Sequence, residues 1–447
     1  MKPREQDWTL HIERLGAMRQ ADIALAPLMC FVGDNNSGKS YISMLLWGLL
    51  SQGMTLFPNR PSDGKAYVAC EQWMMQNQNR DITMDASAEQ RYIAWFNEIL
   101  AQKKIKLMEK IFNYPIHIGK IEIEDFHRHH HLKVQWKSDA QRFGFSNDKN
   151  CVKFPVKDRY TRDDLLRMNS YLCWNLLTAG MTAPFFTNLL QGRRQGEPVY
   201  MPASRTGFML TYSQLLASSL QANFGEDEGD RGERGRLTLP YIDFLQLITK
   251  FEEKEKPQEQ KLVRFLEENM AQGAFHVKKD FLPQIRYETD QGVSLPLYVT
   301  SSVITEIAPI LLLLKSGISF NAIIIEEPEA HLHPELQRRM ARFIVQLMNS
   351  GKTVLITTHS DTIMQHINNM LKLRHHPRKA ELMEKWGYDE ADLLEARKVH
   401  VYEFDHHTSA ETSVRDLKVY DDGIVIPTFN DALADFNEEI YAVQEDS

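Results

Sequence analysis

Short unbroken apolar runs punctuate this chain, and longer stretches of helical periodicity lie between them. Leu28, Met29, Cys30, Phe31 and Val32 follow one another without a polar residue. A run of that length predicts a buried strand. The next apolar positions, Ile42, Leu45, Leu46 and Leu49, recur at helical spacing and predict an amphipathic helix. Far downstream, Ala322 and Ile323–Ile325 form a second run. Its β-branched residues predict a central parallel strand covered on both faces. Thr353–Ile356 repeats that pattern. Upstream of it, SSVITEIAPILLLLKSG predicts a helix that either Ser301 or Ser302 can cap. LTLPYIDFLQLI and KLVRFLEENMAQGAF predict further helices, and HVYEF to IVIPTF reads as strands and turns. NDALADFNEEIYAVQ closes the pattern as an amphipathic helix.

Between the first helix and the second half the pattern changes. IAWFNEILAQKKIKLMEKIF has helical spacing and many lysines, and IHIGKIEIEDFHRHHHLKVQW is rich in β formers and histidine. The chain thus divides into a first lobe at 1–56, an inserted arm or lid at 57–196, and a second lobe at 197–447. His127, His129, His130 and His131 invite a metal reading, but neighbouring strand residues point to opposite faces, so a solvated strand or turn is expected. GEDEGDRGERGR, from Gly225 to Arg236, is expected to be a mobile charged loop.

Composition narrows the class. With 447 residues the chain can bury a large core and hold two or three structural units. Its net charge of −8 leaves no global basic footprint for nucleic acid. The four cysteines, Cys30, Cys70, Cys151 and Cys173, are widely spaced and suggest no disulfide framework. The N-terminus has no apolar signal core, and Ile310 to Leu314, the strongest apolar run, is too short to cross a bilayer. A reduced, cytoplasmic protein without a membrane partner is expected.

The candidate chemistry sits at the ends of the predicted strands. After Val32 comes GDNNSGKS, in which Gly33, Gly38, Lys39 and Ser40 fit G-x-x-x-x-G-K-[ST]. The glycines let the backbone turn so that N–H groups converge on phosphate oxygens, with Asn35, Asn36 and Ser37 completing the loop. Lys39 supplies a point charge to the outer phosphates, and the Ser40 hydroxyl can enter a Mg²⁺ shell. The following helix adds its positive end. The second strand runs into Glu326 and Glu327, and Pro328 follows at once. One acid there can hold Mg²⁺ and the next can orient the attacking water. The third strand runs into THSD, where His359 can bond a γ-phosphate or that water. Nucleoside triphosphate binding with Mg²⁺ follows from this order.

GDNNSGKS, IIEEPEAHLHP and ITTHSD together resemble the ABC-type ATPase heads, and in particular the OLD- and RecF-like branch known as AAA15 or AAA21. The resemblance spans the chain from Trp8 to about Ile426. It implies an α/β fold, an ABC-type (SMC/RecF-like) P-loop ATPase head with a helical and β insertion arm. It implies that the nucleotide is ATP, that Lys39 and Ser40 are Walker A, that Glu326 holds the Walker B position, and that Glu327 is the catalytic glutamate. Ala330 to Pro334 then stands at the D-loop, and His359 is the switch histidine. Ser301 and Ser302 match the signature serine region, although Val303 stands where that motif commonly has glycine. YMPASRTGF resembles the segment before the second lobe, which puts Ser204 or Arg205 near the nucleotide; a structural turn with a buried Arg pair is the equal alternative.

The same resemblance implies head-to-head dimers, with each nucleotide between Walker A of one subunit and the serine motif of the other. It extends to ATPase subunits of bacterial anti-phage systems that act with a separate nuclease: PARIS, with a Toprim-type effector, and then Septu, with an HNH nuclease. A phage protein or DNA is the expected trigger. The stretch after His359 is too short for a Toprim domain besides its own strands. Asp421 and Asp422 read as a turn, and LRHHPRK lacks an HNH pattern, so no nuclease is expected in this chain. The alternative from another class is a RecF-like DNA-binding repair ATPase.

Overall fold

The computed structural model describes residues 6–138, 143–146, 150–179, 181, 196–224, 237–254, 256–278, 282–406, 411–429 and 438–443. The charged segment 225–236 and most of the closing helix, 430–437, lie outside the described residues.

The chain opens with β1 (Gln6–Leu15), β2 (Met18–Ala24), β3 (Leu28–Gly33) and α1 (Lys39–Gln52). Next come α2 (Lys65–Asn77), β4 (Ile82–Thr83), α3 (Ala86–Phe112), β5 (Ile118–Arg128), β6 (Lys133–Lys137), β7 (Gly144–Ser146), β8 (Cys151–Pro155) and α4 (Arg162–Thr178). The second half holds β9 (Val199–Met201), α5 (Arg205–Phe224), α6 (Leu239–Ile248), α7 (Gln260–Leu266), β10 (Gly273–Lys278), β11 (Gln284–Thr289), β12 (Ser294–Pro296) and α8 (Ser302–Lys315). It ends with β13 (Ala322–Glu326), α9 (Pro334–Asn349), β14 (Thr353–Thr357), α10 (Asp361–His375), α11 (Lys379–Trp386), β15 (Val399–Asp405) and β16 (Ser413–Leu417).

A six-stranded sheet, in the order β16-β15-β3-β14-β13-β9, forms the centre. All its pairings are parallel except β15 with β16. The apolar runs are continuous because both faces of this sheet are covered. Met29 and Phe31 point into one core with Trp47, Tyr200, Ile324 and Leu355. Leu28, Cys30 and Val32 point into the other with Ile323, Ile325, Val354 and Ile356. The parallel α/β architecture expected of a P-loop ATPase head is therefore present, with β3 between β14 and β15.

The segment 57–196 does not stand apart as an arm. Ile118, Ile121, Ile123 and Phe126 of β5 alternate with polar residues, and this apolar face needs a cover. It finds one by pairing β5 antiparallel with β1 in a second sheet, β2-β1-β5. Phe57, Trp95, Phe96 and Leu172 share one core with Leu10, Ile12 and Leu45 of the first lobe. The smaller sheet β4-β6-β8-β7 lies within the same segment. His127, His129, His130 and His131 are exposed, as expected, and His129 and His131 pair with Asp7 and Glu89. The four cysteines are buried free thiols. Among the described residues no helix is long and apolar enough to cross a membrane.

Candidate active site

The phosphate-loop motif begins where β3 ends. Gly33 has φ 115°, and a Cβ there would stand 2.2 Å from the Phe404 carbonyl oxygen of β15. Only glycine satisfies both conditions. The loop then closes on itself. Asp34 N–H donates to Phe404 O at 3.2 Å, His406 N–H to Asp34 Oδ2 at 3.2 Å, and Ser37 Oγ to Asp34 O at 2.7 Å. Asn36 (φ 58°) and Gly38 (φ 95°) turn the chain into α1. Gly38 caps that helix without a side-chain oxygen, so the first-turn N–H groups face the loop. Asn35, Asn36 and Ser40 are exposed along its rim, while Ser37 is buried.

Lys39 is buried under the loop. Its Nζ donates to Gly33 O at 3.0 Å, Asp34 O at 2.5 Å and Ser37 Oγ at 3.2 Å. Burial lowers its pKa to about 8 against the opposing pull of Asp34, Glu327 and Glu329. A cation costly to keep charged is one that phosphate oxygens would stabilise strongly.

The acids come from the end of β13. Glu326 is 1% exposed, and its Oε2 accepts from Ala203 N–H at 3.2 Å and Tyr241 OH at 3.5 Å. Oε1 finds no donor among the described residues. A buried carboxylate oxygen without a partner is destabilising, and a hard cation would satisfy it. Across the same cluster Ser43 of α1 and Tyr200 of β9 share a hydrogen bond of 3.2 Å. Glu326 with Ser40 of the adjacent helix is a donor set that fits Mg²⁺.

Glu327 takes φ 44°, a left-handed turn that swings its side chain away from the sheet. Its N–H donates to Thr357 O at 2.8 Å, and its carboxylate is half exposed, 3.8 Å from His359 Nε2. His359 caps the end of β14. Burial and the Lys39 cation outweigh the opposing pull of Glu327, hold its pKa below the ordinary value and so favour the neutral ring near pH 7. Lys39, Glu327 and His359 thus meet at the carboxyl ends of three neighbouring strands, where ligands bind in open parallel sheets. A carboxylate open to solvent beside a neutral imidazole can accept a proton from water.

Glu329 escapes a sequence reading, and Arg205 takes the second of its two readings, the buried one. Glu329 Oε1 accepts from His359 N–H at 2.7 Å, its Oε2 is buried without a donor among the described residues, and burial raises its pKa. Only the recurrence of acids in EEPEA hinted at it. Arg205 is fully buried and turned away from the loop. Nη1 donates to Pro202 O at 3.1 Å and Glu326 O at 2.6 Å, and Nη2 to Glu327 O at 3.0 Å. Nη2 also pairs with Glu306 of α8, which accepts from Thr206 Oγ1 at 2.5 Å. Arg205 therefore ties the turn at Glu327 to α8, and Ser204 beside it is exposed.

The serine pair lies in the second lobe. Ser301 caps α8, accepting from Ile304 N–H at 3.5 Å, and Ser302 follows on the surface. Tyr298 and Val299 beside them are 75% and 54% exposed. The D-loop stretch is a turn, with His331 at φ 57°, that leads into α9 at Pro334.

The model of an AAA ATPase domain, AAA15, matches residues 218–364, about a third of the chain. Among solved structures, the SMC head domain from Thermotoga maritima overlays with a TM-score of 0.33 at 8% identity, covering 93% of this chain and 99% of that one. A Pyrococcus furiosus Smc head domain with an extended coiled coil, bound to the C-terminal domain of ScpA, gives 0.36 at 12%, covering 98% and 100%. An ATP-binding cassette of an ABC transporter in its ADP conformation gives 0.31 at 10%, covering 95% and 90%. These overlays are too loose to carry an argument. No curated protein matches the sequence. The domain match supports an ATP-binding ATPase.

Proposed function

We propose that this chain binds ATP with Mg²⁺ and hydrolyses it between two head-to-head subunits, and that the pair controls a separate nuclease effector in anti-phage defence. The carrying observation is a split constellation. Lys39, Glu326, Glu327 and His359 converge at one edge of the central sheet, while Ser301 and Ser302 stand exposed on the other lobe. In this reading Lys39 and the first turn of α1 hold the phosphates, and Ser40 with Glu326 holds the cation. Glu327 takes the proton of the attacking water, and His359 orients it. The partner's serine motif closes over the γ-phosphate, with the exposed Tyr298 and Val299 beside it in the contact. ADP lacks that bridging group, so ATP biases assembly.

The effector role rests on the likeness of GDNNSGKS, IIEEPEAHLHP and ITTHSD to defence ATPases, of which the PARIS kind is preferred over the Septu kind. The test is phage challenge of cells carrying the wild-type or Lys39→Ala chain, with and without the neighbouring gene. Protection only from wild type with its neighbour is expected. Protection by the lone chain, or by Lys39→Ala with the neighbour, would overturn the proposal. A RecF-like repair role predicts instead salt-sensitive DNA binding by the lone chain.

A further inference from the structure

A second cluster of metal-ligating side chains lies on the polar face of the sheet β2-β1-β5. Thr9, His11 and Glu13 of β1 alternate with the core residues Leu10 and Ile12. His11 stands directly opposite Asp22 of β2 and Glu122 of β5, and Glu124 is two pairs further along, opposite Thr9. The His11 side chain is 9% exposed.

The hydrogen bonds around it are ordered. Nε2 faces Glu13 Oε1 at 3.2 Å. Without an ion Nδ1–H donates to Asp22 Oδ1; as a metal ligand Nδ1 would give up that proton, while Nε2–H stays with Glu13. Asp22 Oδ1 lies 2.5 Å from Nδ1, and Glu124 Oε2 lies 3.9 Å from it. Asp22 Oδ2 is held by Gln20 Nε2 at 2.9 Å, which leaves Oδ1 for the cluster. Glu122 is engaged by Lys120. A carboxylate behind a histidine and an amide behind a carboxylate are the outer-shell contacts that orient metal ligands.

We propose that His11 Nδ1, Asp22 Oδ1 and Glu124 Oε2 form a site for a divalent transition-metal ion of the Zn²⁺ class, oriented by Glu13 and Gln20. The three ligand atoms lie within 4.8 Å of one another. Bonds of about 2.0–2.2 Å in a tetrahedron place ligand atoms about 3.3 Å apart. The 2.5 and 3.9 Å separations straddle that value, and the partly exposed Asp22 and Glu124 side chains can close the difference. One nitrogen and two oxygens suit Zn²⁺ better than the all-oxygen preference of Mg²⁺. The ion would link β2, β1 and β5, and so join the first lobe to the segment that supplies β5. The competing explanation is a protonated His11 in an ion-pair cluster without metal.

The test uses the full chain, stripped with chelator and titrated with ZnCl₂ by calorimetry, with bound zinc counted by mass spectrometry. One equivalent with micromolar or tighter affinity is expected, together with a raised melting temperature. Asp22→Asn and Glu124→Gln should each weaken binding at least about tenfold, and Glu13→Gln about 10- to 100-fold. His11→Gln should abolish it. A His129→Ala/His131→Ala variant should bind as wild type, which separates this site from the exposed histidines. None of these residues belongs to the phosphate-loop machinery, so ATPase activity should persist in every variant. Absence of zinc binding, or binding unaltered by Asp22→Asn and Glu124→Gln, overturns the proposal. Those two partly exposed positions decide the matter even if His11→Gln fails to fold.

Discussion

Replacing Arg205 with methionine tests how the second lobe grips the turn at Glu327. The side chain and its partner Glu306 are both fully buried. Methionine fills similar volume but leaves Glu306 as an unpaired buried acid, and the carbonyls of Glu326 and Glu327 lose their donors. Removing one partner of a buried pair costs about 3–5 kcal/mol. At roughly 2–4 °C per kcal/mol for a large domain, melting should fall by about 6–20 °C. The double variant Arg205→Met/Glu306→Leu removes both charges. It should regain at least about 1 kcal/mol, beyond the roughly 0.5 kcal/mol error of additivity. Calorimetric melting of the four cycle members measures this. Turnover of Arg205→Met below its melting point should drop more than its ATP affinity, because Glu327 loses a restraint on a left-handed backbone. An unchanged melting temperature, or strictly additive losses in the double variant, would refute the reasoning.

Glu327→Gln should bind ATP as wild type yet turn over about 10²–10⁴ times more slowly, since the amide cannot take a proton; normal steady-state turnover would remove it from that role. The Lys39 pKa of about 8 lies below the ordinary value, and bound phosphates would raise it. Above pH 8 ATP binding should therefore take up a proton, and affinity should fall as pH climbs further. Calorimetry at about pH 9 in buffers of different ionisation enthalpy measures this, and Lys39→Arg should lose the effect. Ser302→Arg should fold and bind ATP but not hydrolyse it, and mixing it with Lys39→Ala should restore activity through one intact composite site. Full activity of monomeric Ser302→Arg would exclude a trans contact.

The strands that carry the site could be read from the sequence because each is a short apolar run that both cores require. The phosphate loop was legible for a related reason, since its glycines answer to local geometry at Gly33 and Gly38. What could not be read depends on distant partners. β5 alternates like any half-buried strand, and nothing local says that its mate is β1 rather than β6. Arg205 follows a strand toward the nucleotide side, so its sequence left an outward and a buried direction equally open. The inward turn comes from two free carbonyls and Glu306, which lie more than a hundred positions away. Glu329 looks like a surface acid of a turn and becomes buried only through the backbone of His359.

The place of β3 has a consequence for how a ribosome must deliver this protein. The strand is made first among those of the central sheet, yet both its neighbours, Thr353–Thr357 and Val399–Asp405, emerge near the end of synthesis. Until then an apolar strand with two open edges waits in the nascent chain, the kind of segment that pairs with strangers. β1, β2 and β5 can associate long before, since they are complete by Arg128. The first lobe can thus assemble early around its own sheet while the nucleotide strand remains unzipped. Closure of long loops makes such non-local pairing slow. A ribosome stalled before Thr353 would hold a protein with its phosphate-loop sequence complete and no adjoining strands to seat it.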